Sequence, residues 1–329
     1  MTRGLAADVR PDPWIRRFHP APAGPAPVLV LLPHAGGNAS FYFPYSQALA
    51  AYAEVLTVQY PGRQDRLGEP AADTVDALVE GVRGALRPWG DRPLVLFGHS
   101  MGAVLAFELA RRLEADREAG EGPAGGGPVE GGLRGLILSG RCSPLIHREE
   151  DSHHARGDEA LLARVGALAG TDPRLLADEG FRELILPALR GDYRAVETYR
   201  YESGPALRVP VSVLTGESDP RVSPSEAMAW RDLTDGAFTF RGFPGGHFYL
   251  TDQQEAVVRA VAEDLVSFGA AVPKVSLSGG GPMATVSGAG PVATVSDADP
   301  TATVSGSDPT AAVSARRVPG GGPVPPAPR

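Results

Sequence analysis

Nothing in the chain narrows its fold as much as the stretch from Leu94 to Ala110. Four apolar residues, Leu94-Val95-Leu96-Phe97, run into Gly98-His99-Ser100-Met101-Gly102-Ala103 and then directly into Val104-Leu105-Ala106-Phe107-Glu108-Leu109-Ala110. A short apolar run followed at once by a helical pattern predicts a buried strand that turns into a helix. Gly-x-Ser-x-Gly at such a junction has the form of a nucleophile elbow, a turn so tight that its serine stands exposed above a parallel sheet. Gly98 and Gly102 fit this turn because a side chain at either position would collide across it. The plainer reading is a serine that only caps the helix.

The remainder of the chain alternates in the same way. Residues 1–27 are rich in Pro and Ala, with Trp14 to Phe18 as a short extended piece at a sheet edge. Val28-Leu29-Val30-Leu31-Leu32 predicts a strand buried on both faces. It enters Pro33-His34-Ala35-Gly36-Gly37, and a helix follows from about Ser40 to Ala51. Glu54 to Gln59 is the next strand, and Thr74 to Leu86 places Val75, Leu78, Val79, Val82 and Leu86 at helical spacing. After the elbow come a Gly/Pro/Glu-rich surface loop at 118–132 and a strand from Leu133 to Ser139. Two helical patterns, Asp158 to Leu168 and Asp178 to Tyr201, then interrupt the alternation, so residues 145–205 are expected to form an inserted lid. Val209 to Leu214 resumes the sheet, followed by a helix near Ser225 to Leu233, a strand from Ala237 to Phe240 and a helix from Asp252 to Phe268. Strands alternating with helices predict an α/β fold with a mostly parallel, doubly wound sheet.

One domain is expected over residues 1–270. Beyond it, Ala284-Thr285-Val286-Ser287 recurs in variants beginning at Ala293, Ala302 and Ala311, every nine residues. The repeats lack the Gly-Gly-x-Gly-x-Asp of calcium-binding rolls and carry too little apolar area to offset chain entropy. Residues 271–329 therefore read as a low-complexity, disordered tail.

Charge and cysteine usage exclude several classes. A net charge of −8 without basic clusters argues against nucleic acid. The single Cys142 rules out an internal disulfide and a thiolate-rich metal site, and suits a reducing compartment. No stretch approaches the ~20 apolar residues of a membrane span, and the amino terminus has no signal-like apolar segment. A cytoplasmic protein is expected.

A serine nucleophile needs a base, an orienting acid and oxyanion donors, and on sheets of this type the order along the chain is Ser, acid, His. Of the seven histidines only His247 follows the strand at Val211 to Leu214, in the loop Phe243-Pro244-Gly245-Gly246-His247. Asp219 lies in the turn after that strand; Glu217, two residues earlier, is the rival. Asp219 is favoured because a longer side chain nearer the strand would need a different loop path to the imidazole. The oxyanion donors should be the amide after the nucleophile, Met101, and one from the loop after the first strand, Ala35. His34 and His99 sit inside turn motifs and read as packing and hydrogen-bonding residues. His147, His153 and His154, near Glu149, Glu150 and Asp151, lack metal-site spacing and read as a solvated hinge.

Five motifs in order, Leu32-Pro33-His34-Ala35-Gly36-Gly37, Gln59-Tyr60-Pro61-Gly62-Arg63, Gly98-His99-Ser100-Met101-Gly102-Ala103, Gly216-Glu217-Ser218-Asp219 and Gly245-Gly246-His247-Phe248, resemble the type II thioesterases. These are stand-alone enzymes of the α/β-hydrolase superfamily that accompany polyketide synthases and nonribosomal peptide synthetases. The resemblance spans about residues 14–268. It implies hydrolysis of acyl groups from the phosphopantetheine arm of acyl or peptidyl carrier proteins, removing stalled or wrongly loaded units. It further implies that Ser100, Asp219 and His247 form the triad, that Ala35 and Met101 hold the oxyanion, and that neither metal nor cofactor is needed. A carboxylesterase or acyltransferase on the same fold, and a non-catalytic binding subunit, are the competing readings.

Overall fold

The structure is a computed structural model, and it describes residues 12–120, 131–146, 153–168, 170 and 172–270. The chain divides into units Met1–Gly288 and Ala289–Arg329, and every described residue belongs to the first. The expected tail at 271–329 and most of the 118–132 loop lie outside the described residues.

In chain order the elements are β1 (Ile15–Arg16), β2 (Val28–Leu32), α1 (Phe43–Leu49), β3 (Glu54–Val58), α2 (Val75–Ala85), β4 (Pro93–His99), α3 (Met101–Glu118) and β5 (Gly132–Ser139). They continue with α4 (Asp158–Gly166), α5 (Pro173–Ala177), α6 (Glu179–Thr198), β6 (Val211–Gly216), α7 (Pro224–Met228), β7 (Phe238–Phe243), α8 (Tyr249–Asp252) and α9 (Gln254–Ser267). The strands form one seven-stranded sheet in the order β1-β3-β2-β4-β5-β6-β7. Only β1 runs antiparallel, pairing Ile15 with Val58; each other neighbouring pair is parallel.

Strand periodicity divides the core into two layers. Val28, Val30 and Leu32 of β2 face α2 and α3, packing with Leu78, Val82 and Leu105. Leu29 and Leu31 face the other side, where α1 and α9 contribute Leu49, Val257 and Val261. Both faces are covered, which is why the central strands are apolar without alternation. From β2 the chain steps to β3 on one side, then crosses back to β4 on the other. The carboxyl ends of β2 and β4 therefore flank a topological switch point, the crevice in which open α/β sheets bind ligands.

The differences from expectation have local causes. The helix expected from Ser40 to Ala51 is split into a 3-10 turn, Ala39–Tyr42, and α1, with Pro44 at the first positions of α1; proline lacks the N–H that would have joined them. The final helix begins earlier, as α8, and breaks at Gln253 before α9. Strand β7 extends past Phe240 to Phe243. Arg241 conceals that extension in the sequence, since its charge is buried against Asp264 at 2.8 Å. Between β5 and β6 the expected two helices are three, with the short α5 added.

Candidate active site

The elbow is built as its spacing requires. A Cβ on Gly98 would lie 2.0 Å from the Gly102 carbonyl oxygen, and one on Gly102 would lie 2.0 Å from that of Leu32. Both obstacles are backbone, so neither glycine can be replaced without moving a strand or a helix. Ser100 takes φ +55° and ψ −114°, a left-handed conformation that L-residues rarely adopt. Its amide donates to the Ser139 carbonyl at 2.8 Å, and its carbonyl accepts from Ala103 at 3.0 Å. The hydroxyl makes no capping hydrogen bond to α3, so the plain N-cap reading does not describe it.

Two loops at the far edge are stitched to one another. The Glu217 amide donates to the Phe243 carbonyl at 2.8 Å and the Ser218 amide to Gly245 at 2.9 Å. Gly216 permits this approach, since a Cβ there would stand 2.2 Å from the Gly246 carbonyl oxygen. The pairing brings the buried Asp219 to buried His247, with Nδ1 and Oδ2 2.8 Å apart. A carboxylate can only accept, so Nδ1 carries the proton of this hydrogen bond and Nε2 takes no part in it. The other Asp219 oxygen accepts from the Arg221 amide at 2.8 Å, which fixes the carboxylate in its turn. Glu217 is exposed and lies beside Gly242, away from the imidazole.

Ser100, Met101, Ala35 and His247 line one cleft, to which Tyr193, Val196 and Glu197 of α6 also contribute. Its water-accessible volume is about 50 Å³, room for a few waters. A larger cavity of about 780 Å³ lies at the opposite end of the sheet, near Leu94, Leu133 and Arg208, and holds none of these residues. Convergent polar groups, not size, distinguish the site.

The loop after β2 spends its amides selectively. Gly36 N–H donates to Asp192 Oδ2 at 2.7 Å, and Gly37 N–H donates to the His34 carbonyl at 2.9 Å. Within the described residues the amides of Ala35 and Met101 make no hydrogen bond. Met101 N–H also belongs to the unsatisfied first turn of α3, the end of the helix that favours negative charge.

The thioesterase-domain family matches this chain over residues 27–265. The chain belongs to that family. The probable cadicidin biosynthesis thioesterase of Streptomyces griseus is 47% identical over 252 residues, covering 77% of this chain and 66% of that protein. Thioesterase PikA5 of Streptomyces venezuelae is 44% identical over 254 residues, covering 77% of this chain and 85% of that protein. Among solved structures, the type II thioesterase BorB from the borrelidin biosynthetic cluster superposes with a TM-score of 0.69 at 46% identity, covering 78% of this chain and 100% of BorB. This chain is a serine hydrolase of α/β-hydrolase fold, a thioesterase of the type II kind associated with polyketide and nonribosomal peptide biosynthesis.

In this thioesterase His34 and His99 pack around the elbow. His99 is fully buried and its Nδ1 lies 2.9 Å from Ser139 Oγ, which in turn lies 2.7 Å from the Tyr249 hydroxyl. His34 packs edge-on between Phe41 and Phe248 rather than hydrogen-bonding through its ring. Burial first, then the neighbouring His247, pushes both imidazoles down, His34 to about 3. They stay neutral and are poor proton acceptors beside the His247–Asp219 pair. The expected solvated hinge is corrected in part. His153 and His154 are half-buried, and their amides and Nδ1 atoms converge on the Glu197 carboxylate at 2.6–3.1 Å; residues 147–152 lie outside the described residues. Sequence reasoning missed Asp192 altogether. Its signal was a carboxylate at helical spacing with Leu189, Ala195 and Val196, which are buried on α6.

Proposed function

We propose that this thioesterase hydrolyses acyl thioesters carried on the phosphopantetheine arm of acyl or peptidyl carrier proteins, through an acyl-enzyme on Ser100. His247 Nε2 takes the Ser100 proton as Oγ attacks the thioester carbonyl, and Asp219 holds the imidazole and stabilises the imidazolium. The amides of Ala35 and Met101 receive the oxyanion. The tetrahedral intermediate collapses with release of pantetheine, a good leaving group whose sulfur takes the proton from His247 and so restores the neutral base. Water then gives its proton to His247 as it attacks the acyl-enzyme, and the second intermediate collapses with that proton passing to Ser100 Oγ as the free acid departs. Side chains, two amides and water complete the scheme without a metal or cofactor.

The observation that carries this reading is the 2.8 Å Asp219–His247 hydrogen bond in the same cleft as a strained, uncapped Ser100. Two unoccupied amides border that cleft, which supports acyl transfer over mere binding. The α4–α6 insertion would act as a lid, since Tyr193, Val196 and Glu197 of α6 line the cleft beside Ser100 and His247. Among the described residues no helix is long and apolar enough to cross a membrane, in keeping with a place beside cytoplasmic synthases.

The test compares hydrolysis of acyl-loaded carrier proteins with that of the matching acyl-coenzyme A and oxygen esters. Faster turnover of the carrier-bound thioesters is expected, with nearly all activity lost in Ser100→Ala. A strong preference for oxygen esters would favour a carboxylesterase, and undiminished turnover in Ser100→Ala would remove the triad scheme.

A further inference from the structure

Arg63, just beyond β3, and Asp192, on α6, form a buried bidentate pair, with NH1 to Oδ2 at 2.7 Å and NH2 to Oδ1 at 2.8 Å. Taken alone the pair would be a structural tie between insertion and sheet, and such pairs are weak evidence for stability because desolvation offsets their attraction. Its further contacts point elsewhere. Asp192 Oδ2 also accepts the Gly36 amide at 2.7 Å, and Arg63 NH1 also donates to the Gly37 carbonyl at 3.0 Å. One helical turn before Asp192, Leu189 Cδ1 stands 2.9 Å from where a Cβ on Gly36 would be. The pair thus holds the Ala35–Gly36 peptide by its N–H and the Gly37–Asn38 peptide by its carbonyl, with Leu189 close against Gly36, in a loop where Gly36 has φ +75°. Asp192 occupies the amide next to the expected donor and leaves the Ala35 N–H open.

We propose that Asp192, seated by Arg63, is a positioning residue that aims the Ala35 amide at the oxyanion, so that the hole is complete only while α6 is docked on the loop. This rests on the Ser100 reading above. The physical stake is distance: a misplacement of about 1 Å at a reacting centre costs on the order of 10²-fold in rate. Because the aim is set from α6, movement of the insertion to admit substrate would loosen the hole, and its return would restore it.

Removing Asp192 alone would strand the Arg63 charge, so the test neutralises both partners. Arg63→Gln/Asp192→Asn retains an acceptor for Gly36; Arg63→Gln/Asp192→Leu keeps similar volume without one. Each full-length variant is assayed for hydrolysis of S-propionyl-N-acetylcysteamine and for inhibition by propylboronic acid, which forms a tetrahedral anion on serine. The leucine double is expected to have a kcat ~10²-fold below the asparagine double, with KM within about twofold and boronate inhibition weakened in proportion to kcat. Arg63→Gln/Asp192→Ser, whose hydroxyl is too short to reach Gly36, is expected to match the leucine double and replaces it if that chain does not fold. Equal kcat and equal boronate inhibition in the acceptor-bearing and acceptor-lacking doubles would overturn the proposal, as would a change confined to KM. Ser100→Ala separates the two levels. Activity surviving in Ser100→Ala removes the underlying reading, whereas an inert Ser100→Ala with equal doubles removes only the role of Asp192.

Discussion

Ser100→Gly should make the protein more stable as it destroys its activity. Ser100 is held at φ +55°, ψ −114° by the surrounding elbow. A residue with a Cβ in such a sparsely populated region costs about 1–3 kcal/mol. Glycine removes that cost but loses about 0.5–1 kcal/mol more chain entropy on folding. The net gain is roughly 1 kcal/mol, which in a domain of this size raises the melting temperature by about 2–4 °C. Ser100→Ala is the reference, because it keeps the Cβ and the strain and gives up a hydroxyl that makes no capping hydrogen bond. Its midpoint should stay within about 1 °C of the parent. Calorimetric melting of the three proteins, with thioesterase activity measured on the same samples, reads the effect. If Ser100→Gly melts at or below Ser100→Ala, the elbow stores no strain and the argument fails.

Gly102→Ala places a methyl 2.0 Å from the Leu32 carbonyl oxygen and should cost more than about 4 kcal/mol, read as loss of soluble folded protein; a variant with parental melting behaviour would contradict the geometry. Asp219→Asn should lower kcat on the order of 10³–10⁴-fold by favouring the wrong imidazole tautomer, while exposed Glu217→Gln changes it less than about twofold; the reverse ranking would move the acid to Glu217. His34 contributes to acid sensitivity. Its folded value of about 3 lies below the ordinary imidazole value of 6.5, so the unfolded chain binds more protons between those limits. The contribution is full above pH 6.5 and is lost as pH falls from there towards 3. His34→Asn should flatten the dependence of the urea midpoint over that window, and an unchanged slope would count against the assignment.

Most of the scaffold was legible because its causes are local. The apolar run of β2 and the helical spacing of Val75, Leu78, Val79 and Val82 each report their own element, and all become buried as the pattern requires. The positions of Ser100 at the elbow and His247 in the loop after β7 were legible because turn sterics and the strand pattern fix each locally. What was obscured were charges inside the fold. Arg241 reads as a strand end until Asp264 is placed beside it. His153 and His154 read as solvated until Glu197 of α6 is placed between them.

The sequence by itself determined the alternation of elements, the glycines of the elbow and the order of Ser100, Asp219 and His247 along the chain. These follow from periodicity and turn sterics, which act over a few residues. The tertiary structure alone decided which carboxylate meets His247, which loop amides remain open, and that α6 reaches the loop at Gly36. Those contacts join residues 28, 129 and 156 positions apart. Local preference says nothing at such separations. They exist because the strand order brings the ends of β2, β4, β6 and β7 to one edge and lays the insertion against it.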